Sequence, residues 1–381
     1  MKKRFSLILL AALQMFLLSG CWNYVEIDQQ INVSGIALDV GRGGKRLHLS
    51  VEIITVGKSE ESRFESHVLE SEGNTVFEAI RELMGVASRR LYFGHCKLLI
   101  FGEDLARNGI REYLDLPLRN HELRTTMDVV IAKGSSGRDI LYTKGITTAI
   151  VSYRISDILK GSQKSVGCSA MAKDYQIYNG LETKGYDITI PAFVTHKVDE
   201  EDVACLCGAG VFDGDRLIGW LTKKEAALLS MVNGTYKTGL VTMEAAESPW
   251  KNTTFEVYKA KSETSVSVGA DERVTEHIHV KLWVNVGEAQ TNIDFFDSAQ
   301  TEQNAYALER NLEHDMNHLA DAAQWTYRCD LFGVGEKIGK KDPEAWEKFG
   351  PDWKERFPEV KFEIKVDAVI ISGGVSGVSK E

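Results

Sequence analysis

The first twenty-one residues decide which part of the chain is available to fold. Lys2-Lys3-Arg4 is followed by a mostly apolar run from Phe5 to Leu18 and then by Leu18-Ser19-Gly20-Cys21. A basic start, a short apolar stretch and small residues make a cleaved export signal, and the run is shorter than the roughly 20 residues a spanning helix needs. A cysteine directly after Leu-Ser-Gly is the residue that bacterial lipoprotein maturation modifies with diacylglycerol before cleavage. The mature chain is therefore expected to start at Cys21, with its thiol as a lipid anchor. Because one acyl chain holds a protein only marginally, two or more are expected. Trp22 and Tyr24 come directly after it, where amphipathic rings sit well at headgroup level.

The chain has the composition of a folded body, with 43% hydrophobic residues and only 6 prolines. Removing residues 1–20 takes away Lys2, Lys3 and Arg4 and no acid, so the formal charge moves from −10 to −13. That acidity argues against nucleic acid or anionic lipid as a direct ligand. Beyond Cys21 the cysteines are Cys96, Cys168, Cys205, Cys207 and Cys329, an odd and sparse set that does not read as a disulfide framework. Cys205 and Cys207 share one face of an expected strand, but no second pair completes a zinc site, so they read as buried apolar thiols.

Periodicity gives mixed elements. Ile31–Val40 and Leu47–Val56 flank a glycine loop at 41–44 as a hairpin, and residues 60–72 read as a loop or an edge segment. A helix is expected over 75–88, a buried strand over 96–102, a helix over 103–116 and a strand over 126–132. Residues 148–160 look helical and 161–165 look like an exposed loop, while the strand from Asp187 is expected to break at Pro191. The acidic run Asp199-Glu200-Glu201-Asp202 marks a boundary. After it come two strands around Asp213-Gly214-Asp215, a helix over 223–232 capped by Thr222, and strands over 254–261, 264–268 and 277–286. A long helix over 301–327 carries Leu308, Leu312, Met316, Leu319, Ala323 and Tyr327 on one stripe. A last strand covers 360–371. The expected class is α+β or mixed α/β, multi-domain, with three domains of mixed sheets flanked by helices and the long helix packed on an antiparallel sheet in the C-terminal domain. The expected division is a signal peptide at 1–20, an N-terminal α/β region at 21–200, a small middle domain or bridge at 201–250 and a C-terminal α/β domain at 251–381.

Several segments in this order resemble a known family. They are Cys21-Trp22 with Glu26-Ile27, Gly102-Glu103-Asp104-Leu105-Ala106-Arg107-Asn108-Gly109-Ile110, Arg119, and Glu122-Leu123-Arg124. The most specific come last: Asp330-Leu331-Phe332-Gly333-Val334-Gly335, then Trp346, Trp353 and Phe357-Pro358. The chain resembles the C subunit of bacterial spore germinant receptors, the Ger(x)C lipoproteins, over nearly its whole length. The resemblance implies a non-enzymatic subunit on the outer face of the spore inner membrane, acting beside membrane-embedded A and B subunits and required for the response of dormant spores to nutrients. It implies no cofactor and no tight small-molecule ligand. The Cys205-Leu206-Cys207 pair stands outside the family pattern.

Catalytic patterns are incomplete. His314-Asp315-Met316-Asn317-His318 has the i, i+4 spacing of two imidazoles on one zinc, but its acid is Asp and a third ligand is not evident. His277 and His279 share a strand face. Gly333-Val334-Gly335 lacks the third glycine of a dinucleotide loop and reads as a helix stop. Catalytic and metal residues are therefore expected to be absent. Trp346, Trp353 and Phe357 are candidates either for packing in the core or between domains, or for a partner-contact patch. Arg119 and Arg124 read as arginines paired with internal carboxylates. The alternative function is a solute-binding lipoprotein of a transporter, which would show two similar lobes around a hinged cleft.

Overall fold

Apolar runs of two kinds build two sheets. The computed structural model describes residue 4 and residues 29–59, 62–114, 123–145, 148–165, 167, 173–243, 253–289 and 297–372. Cys21, Trp22, Tyr24, Glu26, Ile27, Arg119, Glu122 and Cys168 lie outside them. Among the described residues no helix is long and apolar enough to cross a membrane.

The first sheet opens with an antiparallel meander of β1 (Gln30–Val40), β2 (Leu47–Ser59) and β3 (Ser62–Gly73). Helix α1 (Val76–Leu83) and the short β4 (Arg90–Tyr92) lead to β5 (Leu98–Gly102), helix α2 (Glu103–Asn108) and β6 (Asp128–Ala132). Helices α3 (Gly137–Leu141), α4 (Val151–Ser165) and α5 (Asp174–Glu182) come next. Strands β7 (Thr189–Val198), β8 (Glu201–Asp213) and β9 (Arg216–Thr222) complete the sheet. The strand order is β3-β2-β1-β5-β6-β7-β8-β9, with β4 beside β1. Pairing is parallel through β1, β5, β6 and β7 and antiparallel on both wings. Every residue of β5 and β6 is buried, as parallel strands covered on both faces require. Alternation splits them: Leu98 and Ile100 enter one core, Leu99 and Phe101 the other.

Helix α6 (Lys223–Val232) carries the chain to the second sheet, made of β10 (Gly239–Met243), β11 (Thr253–Val268), β12 (Val274–Ala289) and β13 (Lys361–Ser372) in that order. The Thr222 hydroxyl accepts from Glu225 N–H while the Glu225 carboxylate accepts from Thr222 N–H, a capping box at the expected start. Between β12 and β13 lie α7 (Ser298–Asp321), a π-helical turn over 322–327, α8 (Val334–Lys341), α9 (Pro343–Phe349) and α10 (Trp353–Arg356). The long helix packs on this sheet through Leu308, Leu312, Met316, Leu319 and Ala323. The first three strands are antiparallel. β13 joins β12 in parallel because a helical crossover separates them. Glu309 and Glu313, one turn apart on α7, accept from Ala368 N–H (2.8 Å) and Val366 N–H (3.0 Å) and so cover the open edge of β13.

Several segments differ from the sequence reading, each for a physical reason. The helix expected over 103–116 stops at Gly109, whose φ of 122° no helix holds, and a 3₁₀ turn comes after it at Arg111–Tyr113. Residues 161–165 continue α4 rather than forming a loop. β7 runs through Pro191, because its ladder to β6 starts only at Ala192 and the missing N–H falls before it. Residues 62–73 form the edge strand β3, and strands 254–261 and 264–268 are one strand, β11.

Polar anchors fix the helices against the first sheet. Glu52 on β2 is fully buried and accepts from Val151 N–H (2.8 Å) and Ser152 N–H (3.0 Å) at the start of α4, and from the Ser34 hydroxyl (2.7 Å). Asp39 likewise accepts from Gly137 N–H (2.7 Å) and Arg138 N–H (2.9 Å) at the start of α3. Glu52→Gln keeps the volume but turns an amide NH₂ toward donors, so it is expected to cost about 1–3 kcal/mol of unfolding free energy, read from the denaturation midpoint in urea. An unchanged midpoint would mean that packing alone seats α4.

Candidate functional site: a buried aspartate junction

The most specific sequence segment, 330–335, meets the first sheet where β8 turns into β9. Asp330 is 2% exposed. Its Oδ1 accepts from Val334 N–H (3.0 Å), and its Oδ2 from Gly335 N–H (2.9 Å) and from the Trp353 indole N–H (3.1 Å). One carboxylate thus caps α8 and orients the second tryptophan. Burial pushes its pKa up to about 7 against these three donors.

The glycines are explained by the same geometry. Arg328 (φ 54°) ends the π turn in the left-handed region, so the helix stop lies there rather than at the glycines. Gly333 (φ 67°) is the N-cap of α8 and Gly335 lies inside that helix. A Cβ on Gly335 would sit 2.7 Å from Trp353 Nε1 and 2.8 Å from the Cα of Gly185, and one on Gly185 would sit 2.5 Å from the Trp346 ring. Two glycines from distant segments therefore let backbone meet backbone beneath the tryptophans.

Trp353 and Phe357 are buried and Trp346 is half-buried. Ring centroids run 5.5 Å from Trp346 to Trp353, 6.3 Å from Trp353 to Phe357 and 6.3 Å on to Phe357's neighbour Phe362. The structure thus places these three aromatics in packing positions, with the outer part of Trp346 reaching solvent. The π turn has its own cause: the Gln324 amide points inward and donates to the carbonyls of Phe357 (3.2 Å), Pro358 (3.1 Å) and Val360 (2.7 Å).

Across the junction, Asp330 N–H donates to Asp187 Oδ2 (2.8 Å) while Asp187 N–H donates to the Asp330 carbonyl (2.9 Å). Asp187 Oδ1 also accepts from Gly214 N–H (3.4 Å), and Asp213 pairs with Lys354. On the other side of the same turn, the 102–110 segment arrives. Ile110 N–H donates to the Asp215 carbonyl (3.0 Å) and Arg111 N–H to the Asp215 carboxylate (3.3 Å), while Leu105, Ala106 and Ile110 are buried. The turn Asp213-Gly214-Asp215 therefore receives both segments. Sequence reasoning saw it only as a turn and missed Asp187 and Gly185. The doubled aspartate around a glycine was the available signal.

Asp187, Asp213 and Cys329 present ligating atoms within 4.8 Å of one another. Lys354 already supplies a positive charge to this group. The Cys329 thiol, pushed up by burial, stays protonated and donates to the Tyr327 carbonyl (3.4 Å). The donor set thus fits an internal ammonium rather than a metal ion. The His314 and His318 rings lie edge to face on the exposed side of α7, with Nε2 atoms 3.1 Å apart, and Asp315 pairs with Lys224 (2.8 Å). His277 and His279 pair with Glu363 (2.9 Å) and Asp367 (2.7 Å). Cys205 and Cys207 are half-buried free thiols, and Arg124 is exposed.

The described bonds at this junction run from chain to chain and link the C-terminal helices to the first sheet. Two family models match the chain: "Spore germination protein N-terminal domain" over residues 23–195 and "Spore germination B3/GerAC like, C-terminal" over residues 207–374. The chain belongs to this family of Ger(x)C-type spore germination proteins. Among curated relatives, spore germination protein B3 of Bacillus subtilis is 26% identical, with 94% of this chain and 96% of that one aligned. Spore germination protein KC of the same organism is 24% identical over 98% and 97%, and GerQC of Bacillus cereus 22% over 97% and 99%. The crystal structure of the GerBC protein superposes with a TM-score of 0.59 at 22% identity, over 88% of this chain and 97% of that one, and shows the same fold.

Replacing Asp330 with Ala orphans three buried donors and is expected to cost on the order of 3–5 kcal/mol. The pH dependence has a definite sign. A carboxyl raised from its unfolded value near 4 to about 7 contributes stability that is complete below pH ~4 and is lost as pH rises through about 7. Stability measured from pH 4 to 8 should therefore fall more steeply in the unaltered protein than in Asp330→Asn. Parallel curves would show that this carboxyl does not titrate in that window.

Proposed function

We propose that this chain is the lipid-anchored C subunit of a nutrient germinant receptor. In this reading Cys21 carries the anchor on the outer face of the spore inner membrane, and the folded body works through contacts with membrane-embedded A and B subunits. The observation that carries the reading is the pair of germination family matches, which together run from residue 23 to residue 374 directly behind the Leu-Ser-Gly-Cys21 motif. The role is non-enzymatic, and it is supported by a junction whose titratable groups are spent on backbone amides, an indole and an ammonium.

Residues 21–200, 201–250 and 251–381 act in this proposal as an N-terminal region, a bridge and a C-terminal domain. The bridging role is supported by α6, whose buried Ala226, Leu229 and Val232 belong to a core shared by both sheets. A solute-binding lipoprotein would be built from two similar lobes. Among the described residues the sheets have nine and four strands and different topologies, which supports the receptor reading.

In spores carrying Cys21→Ala, the protein is expected to leave the membrane fraction and one nutrient response to fail while other responses persist. Retention in the membrane together with normal germination would remove both the anchor and the receptor assignment.

A further inference from the structure

The first sheet has one end from which the chain runs back to Cys21. β1 starts at Gln30, nine residues after Cys21, so the tether spans at most about 30 Å. A body of this size has a radius of gyration of about 20 Å, so its far side lies out of reach of the anchoring bilayer while the start of β1 is held close.

That end carries the most exposed large apolar side chain among the described residues. Val56 is 80% exposed, and its cross-strand partner on β3, Phe64, is 54% exposed. Asn32 pairs with Ile54, so continuing the register by two residues puts Gln30 level with Val56. Gln30 also pairs with Arg90 at the start of β4. The turn leading into β4 adds Val86, 68% exposed, and the exposed Arg89. Exposed apolar residues thus gather where the tether emerges, although β2 and β3 are otherwise edged by carboxylates such as Glu65, Glu70 and Glu72.

Charge agrees with this. Arg89 and Arg90, both exposed where β4 begins, place basic side chains beside the exposed apolar ones. On a mature chain of formal charge −13 these two arginines offset locally the repulsion that its acidity would impose against lipid headgroups.

We infer that the described ends of β2 and β3 at Val56 and Phe64, with Val86 beside them, rest on the bilayer that holds the Cys21 anchor and so set which face of the protein is turned toward the membrane. The inference rests on the anchored reading above. Val40 provides the control, since it is 42% exposed and closes the opposite end of β1, about 35 Å away.

The test uses the full lipidated protein on vesicles of phosphatidylglycerol and phosphatidylethanolamine. Val56→Cys, Phe64→Cys and Val40→Cys each carry an environment-sensitive thiol dye, with the unsubstituted protein as background. Dyes at 56 and 64 are expected to shift to the blue and to be quenched by headgroup-labelled lipid, and the dye at 40 to behave as in water. If the protein stays on the vesicles and all three dyes report water, the orientation is wrong and the anchor stands. Detachment of the lipidated protein would overturn the anchor and this inference with it. Shielding at 56 that requires co-reconstituted membrane subunits would replace the lipid by a protein partner.

Discussion

Removing the Asp330 carboxylate from water costs more than any one hydrogen bond returns, so its position is stable only if several donors converge on it. Three do, from two residues of one helix start and from an indole 23 residues away. The requirement explains the rest of the segment. Donors at Val334 and Gly335 need a helix that begins there, hence a left-handed Gly333. The indole needs room, hence no side chain at Gly335 or at Gly185. Changing one of these residues leaves a buried polar group or a steric clash at the others.

The junction ties the C-terminal helices to a single turn of the first sheet. Asp187 and Asp330 exchange backbone and carboxylate bonds, Lys354 holds Asp213, and Asp215 on the same turn holds Ile110 and Arg111. Two of the segments that carry the family resemblance, 102–110 and 330–335, therefore meet one three-residue turn and the strand start beside it. The path from the tryptophan-bearing helices to the loop after α2 consists of hydrogen bonds and one ion pair around this turn.

Elements whose cause is local were legible in the sequence. Thr222 with Glu225 announced α6, the stripe from Leu308 to Ala323 announced α7, and the alternation around the glycine loop announced β1 and β2. Elements whose cause is distant were not. Pro191 looked like a break because nothing in its neighbourhood says where the β6 ladder begins. Gly333 looked like the end of a helix because the aspartate that caps the next one lies on its other side. Trp346, Trp353 and Phe357 stood out as a group, but Asp330, which accepts from the Trp353 indole, and Gly185, which leaves room for the Trp346 ring, are separated from them by about 20 and by more than 150 residues. Such contacts exist only after folding.

The second sheet shows how far the polar logic extends. A strand added in parallel after a helical crossover leaves an open row of amides on β13, and that row is closed by carboxylates of the crossover helix itself, Glu309 and Glu313. The Gln324 amide then fixes the chain just before the same strand by three carbonyls at once. Helix α7 therefore grips the strand along its edge and at its entry, and the short helices between them are held at the far side by Asp330. With both ends pinned, the plate formed by α7 to β13 has little freedom to deform internally. It is joined to the first sheet and its flanking segments by the Asp187–Asp330 bonds, the Asp213–Lys354 pair, the Tyr327 hydroxyl on the Trp220 carbonyl and Glu336 N–H on the Gly185 carbonyl.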